Sequence, residues 1–257
     1  RTGAGVVVGS DAVAKAPKDG HTLLYTTVAH ASLRALFPRL PFDPATDLVP
    51  VALVGVIPMI VTVNKEFPAR ALRGLQQQRR DAQGDTDYAS SGKGGAVHLA
   101  AELMLRRLGV RANHIPYRGT AAAMPDVLNG TVPIIVDVAT SAVPFVQRGE
   151  TRALAVMDDR RLPQLPDVPT TAEAGFDDLT AFTWHMVMAP AGTPQPVIEA
   201  VNAAFNRAAA EPAVQQRLGD LAMRLVADST PASAAAWLRA ETTKWEGLIR
   251  EANIRIE

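Results

Sequence analysis

Residues 90–96, which read S-S-G-K-G-G-A, have the composition of a loop that binds an anion. Apolar residues recur at helical spacing after them, at Val97, Ala101, Met104 and Leu108, so we expect a strand to end at this loop and a helix to begin from it. The first turn of a helix has N–H groups without intrahelical partners, and the helix dipole adds partial positive charge there. Together with two serine hydroxyls, these groups predict a site for a carboxylate or phosphate. A capped surface turn without a ligand is the alternative.

More specific sequence motifs for phosphate binding and for catalysis do not match this loop. A phosphate-binding P-loop requires G-x-x-x-x-G-K-[ST], but Lys93 is followed by Gly94. A hydrolase elbow requires G-x-S-x-G, and neither Ser90 nor Ser91 has a glycine two places before it. Residues 3–9, G-A-G-V-V-V-G, lack the preceding strand that a dinucleotide fingerprint needs. We therefore predict no cofactor.

Composition excludes several classes of protein. The chain has 257 residues, and its 26 Lys and Arg balance 26 Asp and Glu, so no overall charge favours nucleic acid. It has no cysteine, which excludes disulfides and thiolate metal sites, and its five histidines show no metal-ligand spacing. No apolar run is long enough to span a membrane. The sequence begins at Arg1 without a signal peptide, and we interpret this start as a truncated N-terminus.

Strand and helix patterns alternate along the chain, which is typical of a mostly parallel sheet covered by helices. Residues 49–63 are interpreted as two short buried strands, because Gly55 and Pro58 interrupt the apolar run. The chain is predicted to leave a first lobe near residues 59–64 and to return near 182–189. The predicted lobes are residues 1–63 with 183–257, and residues 64–182. Ligands often bind in the cleft between two lobes.

Two Thr-Pro pairs predict helix starts near the C-terminus. In each, the threonine is expected at the N-cap and the proline at the first helical position, at Thr193-Pro194 and at Thr230-Pro231. Trp237 and Trp245 fall at helical spacing in the second of these helices, which predicts a place in the core rather than on a ligand.

Short segments distributed along the whole chain share their order and spacing with one known family. They are G-A-G at 3–5, A-V-A-K-A at 12–16, D-G-H-T-L-L at 19–24, H-A at 30–31, L-P-F-D-P at 40–44, Y-A-S-S-G at 88–92, H-L-A at 98–100, P-Y-R-G at 116–119, R-A-L-A-V at 152–156, L-P-D-V-P-T at 165–170, E-A-G at 173–175 and A-P-A-G-T-P at 189–194. On these residues the chain resembles the tripartite tricarboxylate transporter receptors, the TctC-like or Bug periplasmic solute-binding proteins.

The resemblance implies an α/β fold of the periplasmic-binding-protein type II class, in which two crossing strands join two lobes. It implies a periplasmic receptor, not an enzyme, that captures a small carboxylate and delivers it to the membrane permease subunits of a tripartite transporter. Such a receptor is expected to be a monomer, to bind no nucleic acid and to need no metal or cofactor. In the family, one loop of each lobe holds the carboxylate through backbone N–H groups, small hydroxyls and water.

The chain departs from the family pattern in three places. The family's first strand and one ligand loop lie upstream of Arg1, so this N-terminal strand and loop of the first lobe are expected to be missing. Gly95 stands where the family often has serine, and Val28 and Ala29 stand where it often has Ser or Thr. The last two departures imply a less polar pocket, suited to a ligand with an apolar or aromatic body.

The predicted ligand-binding residues come from three parts of the chain. They are Thr26, Thr27, Ser90, Ser91, Gly92, Gly94, Gly95, Ala96, His98 and Asp137. Asp137, which is followed by Thr140 and Ser141, is expected either to accept a hydrogen bond from a ligand hydroxyl or amino group or to cap the next helix.

The competing hypothesis is a serine-dependent hydrolase or transferase, with Ser91 as nucleophile and His98 as base. No Asp or Glu is placed by the sequence to orient this histidine, which argues against it. Glu102 lies one helical turn after His98, and we expect a structural hydrogen bond there rather than catalysis.

Overall fold

A computed structural model describes residues 6–81 and 86–256 of the chain. The predicted glycine turn at residues 3–5 and most of the turn predicted at 81–85 lie outside these ranges. The chain forms two compact units, the first made of Arg1–Val56 and Trp184–Glu257, the second of Ile57–Thr183. The sequence predicted the boundaries between the two lobes slightly differently, after residue 63 and after residue 182.

Strands and helices alternate through both units. The strands in the described residues are β1 (Leu24–Thr27), β2 (Leu48–Asn64), β3 (Thr86–Ser90), β4 (Ala112–Pro116), β5 (Ile134–Val138), β6 (Thr151–Val156), β7 (Phe182–Pro190) and β8 (Arg224–Leu225). The helices there are α1 (Val7–Ala14), α2 (Leu33–Leu36), which continues a 3₁₀ turn at Val28–Ser32, α3 (Leu72–Asp81), α4 (Ala96–Leu108), α5 (Thr120–Asn129), α6 (Ala139–Gln147), α7 (Gln195–Ala210), α8 (Pro212–Gly219) and α9 (Pro231–Glu251). None of these helices combines the length and apolar character needed to cross a membrane.

β2 is one strand of 17 residues, so the prediction of two short strands was wrong. Its partners change along its length. Gly55 and Val56 pair with β8 in the first unit, whereas the later residues pair antiparallel with β5 and β6 in the second. A Cβ on Gly55 would lie 2.6 Å from the Arg224 carbonyl oxygen. Gly55 therefore marks a close approach of another strand rather than a break.

The chain passes between the units twice, within β2 and within β7. This agrees with the two crossing strands implied by the family resemblance. The sheet of the second unit is mixed rather than mostly parallel, because β2 runs antiparallel to β5 and β6 while β3 runs parallel to β4 and β5.

The parallel pair β3 and β5 ends at one edge of that sheet, and α4 and α6 begin there. Ala89 of β3 is level with Ile135 of β5. Both belong to a buried apolar cluster that also contains Val97, from the first turn of α4, and Ala123 and Val127 of α5. Val97, Ala101, Met104 and Leu108 are all buried, as the stripe predicted. The core thus fixes the position at which α4 begins.

The two predicted helix starts near the C-terminus have different outcomes. Thr230 caps α9 as predicted, since its Oγ1 accepts the Ser233 N–H while the Ser233 hydroxyl accepts the Thr230 N–H. α7 begins one residue later than predicted, with Pro194 at the N-cap. The Thr193 hydroxyl instead donates to the Pro190 carbonyl oxygen at 2.8 Å. A hydroxyl can close the preceding turn as readily as it can cap a helix.

Glu241 of α9 connects two buried tryptophans in the core of the first unit. Its Oε2 accepts the indole N–H of Trp184 at 3.0 Å and that of Trp245 at 2.8 Å. Trp245 is a core residue, as predicted, whereas Trp237 is only partly buried.

Replacing Glu241 by leucine is expected to lower the free energy of unfolding by about 2–5 kcal/mol, because two buried N–H donors lose their acceptor. Urea denaturation measures this loss. Glu241→Gln retains an amide oxygen at this place, so it should cost clearly less than Glu241→Leu. Equal losses of stability in the two variants would contradict this explanation, because glutamine keeps an acceptor oxygen that leucine lacks.

Candidate functional site

The loop between β3 and α4 has a backbone that requires glycine at two positions. Gly92 has φ of 134° and Gly94 has φ of 74°, a region that L-residues rarely adopt. Gly95 is the N-cap of α4, with φ of −72° and ψ of 165°, and no side chain caps the helix. The two glycines turn the chain directly from the end of β3 into α4.

The amides of the three loop glycines and those of the first turn of α4 differ in their partners. Those of Gly92, Gly94 and Gly95 have acceptors within the protein, namely Ser90 Oγ, His98 Nδ1 and the Gly92 carbonyl oxygen. The N–H groups of the next three residues, Ala96, Val97 and His98, form no hydrogen bond within residues 6–81 and 86–256. The predicted set of unpaired amides is therefore present, and it lies in the first turn of α4.

The two serines of the loop have different surroundings. Ser90 is fully buried, and its hydroxyl lies 2.5 Å from His114 Nε2, accepts the Gly92 N–H at 3.1 Å and faces the Gly92 carbonyl oxygen at 3.3 Å. These three partners use the full capacity of a hydroxyl. Ser91 is half-buried, and its Oγ lies 3.5 Å from where a Cβ on Gly95 would be. Ser91 is thus the loop hydroxyl that faces the start of α4.

Two stacked imidazoles, those of His98 and His114, form hydrogen bonds with Gly94 and Ser90 respectively. The rings of His98 and His114 lie 3.9 Å apart at 11°, and Tyr88 stacks on His114 at 5.0 Å. His98 accepts the Gly94 N–H at 3.0 Å, and Tyr88 donates to Glu102 Oε1 at 2.5 Å. His98 and Glu102 therefore each have a structural hydrogen bond, but with other partners rather than with each other.

Sequence reasoning missed His114 and Tyr88. They become neighbours because Tyr88 and His114 are paired residues of the parallel strands β3 and β4, 26 positions apart. A strand register of this kind leaves no local pattern in the sequence. The one available signal was the P-Y-R-G segment that follows His114 and Ile115, whose Tyr117 N–H donates to the Ser90 carbonyl oxygen at 3.0 Å.

Burial keeps both imidazoles uncharged at neutral pH. It lowers the pKa of His98 to about 4, with a further lowering by the Lys93 ammonium. The pKa of His114 is also lowered to about 4, first by burial and then by His98, against an opposing effect of Glu102. A neutral His98 can accept the Gly94 N–H, which a charged one cannot. Positive charge at the loop therefore comes from the helix dipole and exposed Lys93.

Asp137 lies in β5 and is only 2% exposed. Its Oδ1 accepts the Val138 N–H at 2.8 Å, whereas Oδ2 is buried with no hydrogen-bond partner among the described residues. Burial raises the pKa of its carboxyl group, and the nearby Ser141 side chain and the Val138 N–H partly oppose this. Val138, not Asp137, occupies the N-cap position of α6.

Thr26 and Thr27 belong to the first unit, whereas the other eight predicted residues belong to the second. Thr26 is buried in β1, and its hydroxyl has no partner in the described residues. Thr27 is half-buried and precedes the 3₁₀ turn without capping it. A contact of these threonines with the ligand stays a prediction.

The geometry does not support the serine-hydrolase hypothesis. The Nδ1 of His98 is occupied by the Gly94 N–H, and one face of its ring is covered by His114. The Ser91 hydroxyl has no hydrogen bond to His98 among the described residues. In the same residues, no group of three His, Asp or Glu side chains is arranged to hold a metal ion.

The described residues thus combine a glycine loop, three amides without a protein acceptor at the start of α4, and two α/β units joined by β2 and β7. A model of the family described as "Tripartite tricarboxylate transporter family receptor" (TctC) matches residues 1–254. The chain belongs to this family. Its members are solute-binding receptors and not enzymes, which confirms the resemblance and leaves the hydrolase alternative without support.

Individual relatives agree with this assignment. The "UPF0065 protein in tcbD-tcbE intergenic region" of Pseudomonas sp. (strain P51) is 38% identical, over 98% of this chain and 75% of its own length. MatC from Rhodopseudomonas palustris, solved with bound malate, has a TM-score of 0.80 and 32% identity, over 96% of this chain and 85% of MatC. The periplasmic binding protein BugD has a TM-score of 0.80 and 30% identity, over 99% of this chain and 86% of BugD.

Proposed function

We propose that this chain binds a small carboxylate at the loop of residues 91–96 and delivers it, as a periplasmic monomer, to the membrane permease subunits of a tripartite tricarboxylate transporter. The observation that carries the proposal is the set of unpaired N–H groups at Ala96, Val97 and His98. Support comes from the family, in which MatC holds malate and BugD is a periplasmic binding protein.

The charges around the loop favour a carboxylate over a phosphate. Neutral His98 and His114 contribute no positive charge, so an incoming anion meets the helix dipole, worth about half an elementary charge, and exposed Lys93. This amount of positive charge suits a carboxylate group, with one negative charge, better than a phosphate group with two. Each hydrogen bond from an amide to a charged oxygen contributes about 1.5–3 kcal/mol.

Asp137 is proposed to contact a second group of the ligand. If the pairing of Ala89 with Ile135 is continued for two residues, Asp137 is level with Ser91. Side chains alternate along a strand, so Asp137 projects to the same face as Ile135, which packs with Val97 of α4. Its unpartnered Oδ2 would repel a ligand carboxylate and accept a ligand hydroxyl or ammonium. The ligand class we propose is therefore a hydroxy acid or amino acid.

Replacing Asp137 by asparagine is expected to lower the preference for malate over succinate by about tenfold, because the amide oxygen stays on the Val138 N–H and an NH2 group takes the place of the acceptor Oδ2. The ratio of the two dissociation constants, measured by calorimetry, checks this. Asn113→Asp, which changes charge at an exposed residue of β4, serves as the control and should leave the ratio unchanged. An unchanged ratio in Asp137→Asn would remove Asp137 from the proposed site.

The proposed function itself is tested by titrating the protein with malate, succinate, lactate and citrate, and with succinamide as the neutral analogue. Binding of at least one of these acids is expected, without binding of succinamide and without conversion of the ligand. Equal binding of the diamide, or no binding of any acid at millimolar concentration, would contradict it. Thr26 and Thr27 remain proposed contacts that the same titrations can examine in valine variants.

A further inference from the structure

The first unit contains a cavity of about 410 Å³ that shares no residue with the loop of residues 91–96. One side is formed by α9, through residues that include Arg239 and Glu246, and the other by His30, Arg34 and the chain from Pro44 to Pro50. Cavities of this volume hold small organic ligands.

His30, one of the residues that line this cavity, has an imidazole nitrogen without a hydrogen-bond partner among the described residues. The side chain is 3% exposed, and its Nε2 lies 3.3 Å from the Pro44 carbonyl oxygen. A carbonyl can only accept, so Nε2 carries the proton. Burial also lowers the pKa of His30 to about 4, which leaves Nδ1 as a bare lone pair at neutral pH. That atom is buried and has no partner in the described residues, so it lacks a hydrogen-bond donor.

The charged residues of the cavity leave one positive charge in excess. Arg34 and Arg239 come from different helices, and neither guanidinium is in a salt bridge within the described part of the chain. Glu246 is the one acidic residue of the lining. Guanidinium groups bind carboxylates through paired hydrogen bonds. The remaining lining is largely apolar and includes Leu48 and Leu238.

We propose that this cavity is a second binding site, for a small organic acid that combines one carboxylate, an apolar body and a hydrogen-bond donor. The carboxylate binds Arg34 and Arg239, the apolar body contacts Leu48 and Leu238, and the donor reaches His30 Nδ1. A hydroxyaromatic acid has all three features.

The test uses the intact protein with ¹⁵N-labelled histidine and 4-hydroxybenzoate as the probe. The Nδ1 resonance of His30, assigned by its loss in His30→Gln, is expected to move to lower frequency as the lone pair accepts a hydrogen bond. Benzoate, which lacks the hydroxyl, should move it less. An Nδ1 resonance that is unchanged at saturating 4-hydroxybenzoate would overturn the proposal.

Variants assign the binding to this cavity. Arg34→Gln combined with Arg239→Gln is expected to weaken 4-hydroxybenzoate binding at least tenfold, whereas Arg207→Gln, at an exposed residue of α7, should not change it. Ala96→Pro changes the loop of the second unit only, and should leave the His30 response intact. Undiminished binding in the double arginine variant, or loss of the response in Ala96→Pro, would contradict a separate site.

Discussion

Replacement of Ala96 by proline is expected to weaken carboxylate binding by about tenfold to a hundredfold, while the protein stays folded. Proline removes one of the three unpaired N–H groups at the start of α4. The loss of one hydrogen bond to a charged group, about 1.5–3 kcal/mol, corresponds to this range. Calorimetric titration with malate and succinate measures it.

The fold should tolerate this proline for two reasons. Ala96 is the first residue of α4, where an N–H has no intrahelical role and proline is common. Gly95 before it has ψ of 165°, the extended conformation that a residue preceding proline adopts. Gln195→Pro makes the same change at the first residue of α7 and is the control. Unchanged affinity in a folded Ala96→Pro protein would mean that the ligand does not use this amide.

Acidification from pH 6.5 towards pH 4 is expected to destabilise the folded protein through four histidines whose pKa burial lowers, namely His30, His98, His114 and His185. Burial lowers the pKa of His30, His98 and His114 to about 4, below the ordinary value of 6.5. Within this window the unfolded chain binds more protons than the folded one, so stability falls as pH falls. His30 contributes at most about 1.4 kcal/mol per pH unit, and half-buried His114 contributes less. Urea denaturation at several pH values gives the slope.

Variants separate the histidines from other titrating groups. His30→Gln should reduce the slope between pH 6.5 and pH 4. Asp137 acts in the opposite direction, because burial raises the pKa of its carboxyl group and protonation then favours the folded state. A slope of zero in the unchanged protein, or a slope that His30→Gln leaves intact, would be inconsistent with neutral buried imidazoles.

Local patterns in the sequence predicted the elements that local physics determines. The spacing of Val97, Ala101, Met104 and Leu108 predicted the buried face of α4, and the small residues before it predicted the loop. Thr230 and Pro231 predicted the start of α9. In each case the residues that determine the structure are within one or two helical turns of each other.

The features that sequence reasoning missed depend on contacts between distant residues. β2 continues through Gly55 because β8, about 170 residues later, approaches there, and an apolar run alone cannot show which strand covers it. The stack of His98 on His114 likewise depends on the register of β3 and β4. Ser90 was predicted as a ligand contact from its position; its hydroxyl contacts the local backbone of Gly92 and also His114, which only the fold brings near.

The most direct test of a carboxylate held by the first turn of α4 is a ¹H–¹⁵N spectrum of the protein titrated with malate, with the neutral diamide of malate as reference. The account predicts that the amide protons of Ala96, Val97 and His98 move strongly to higher frequency with malate and hardly at all with the diamide, as hydrogen bonds to a charged oxygen form. Saturable malate binding that leaves these three amides unmoved would contradict it.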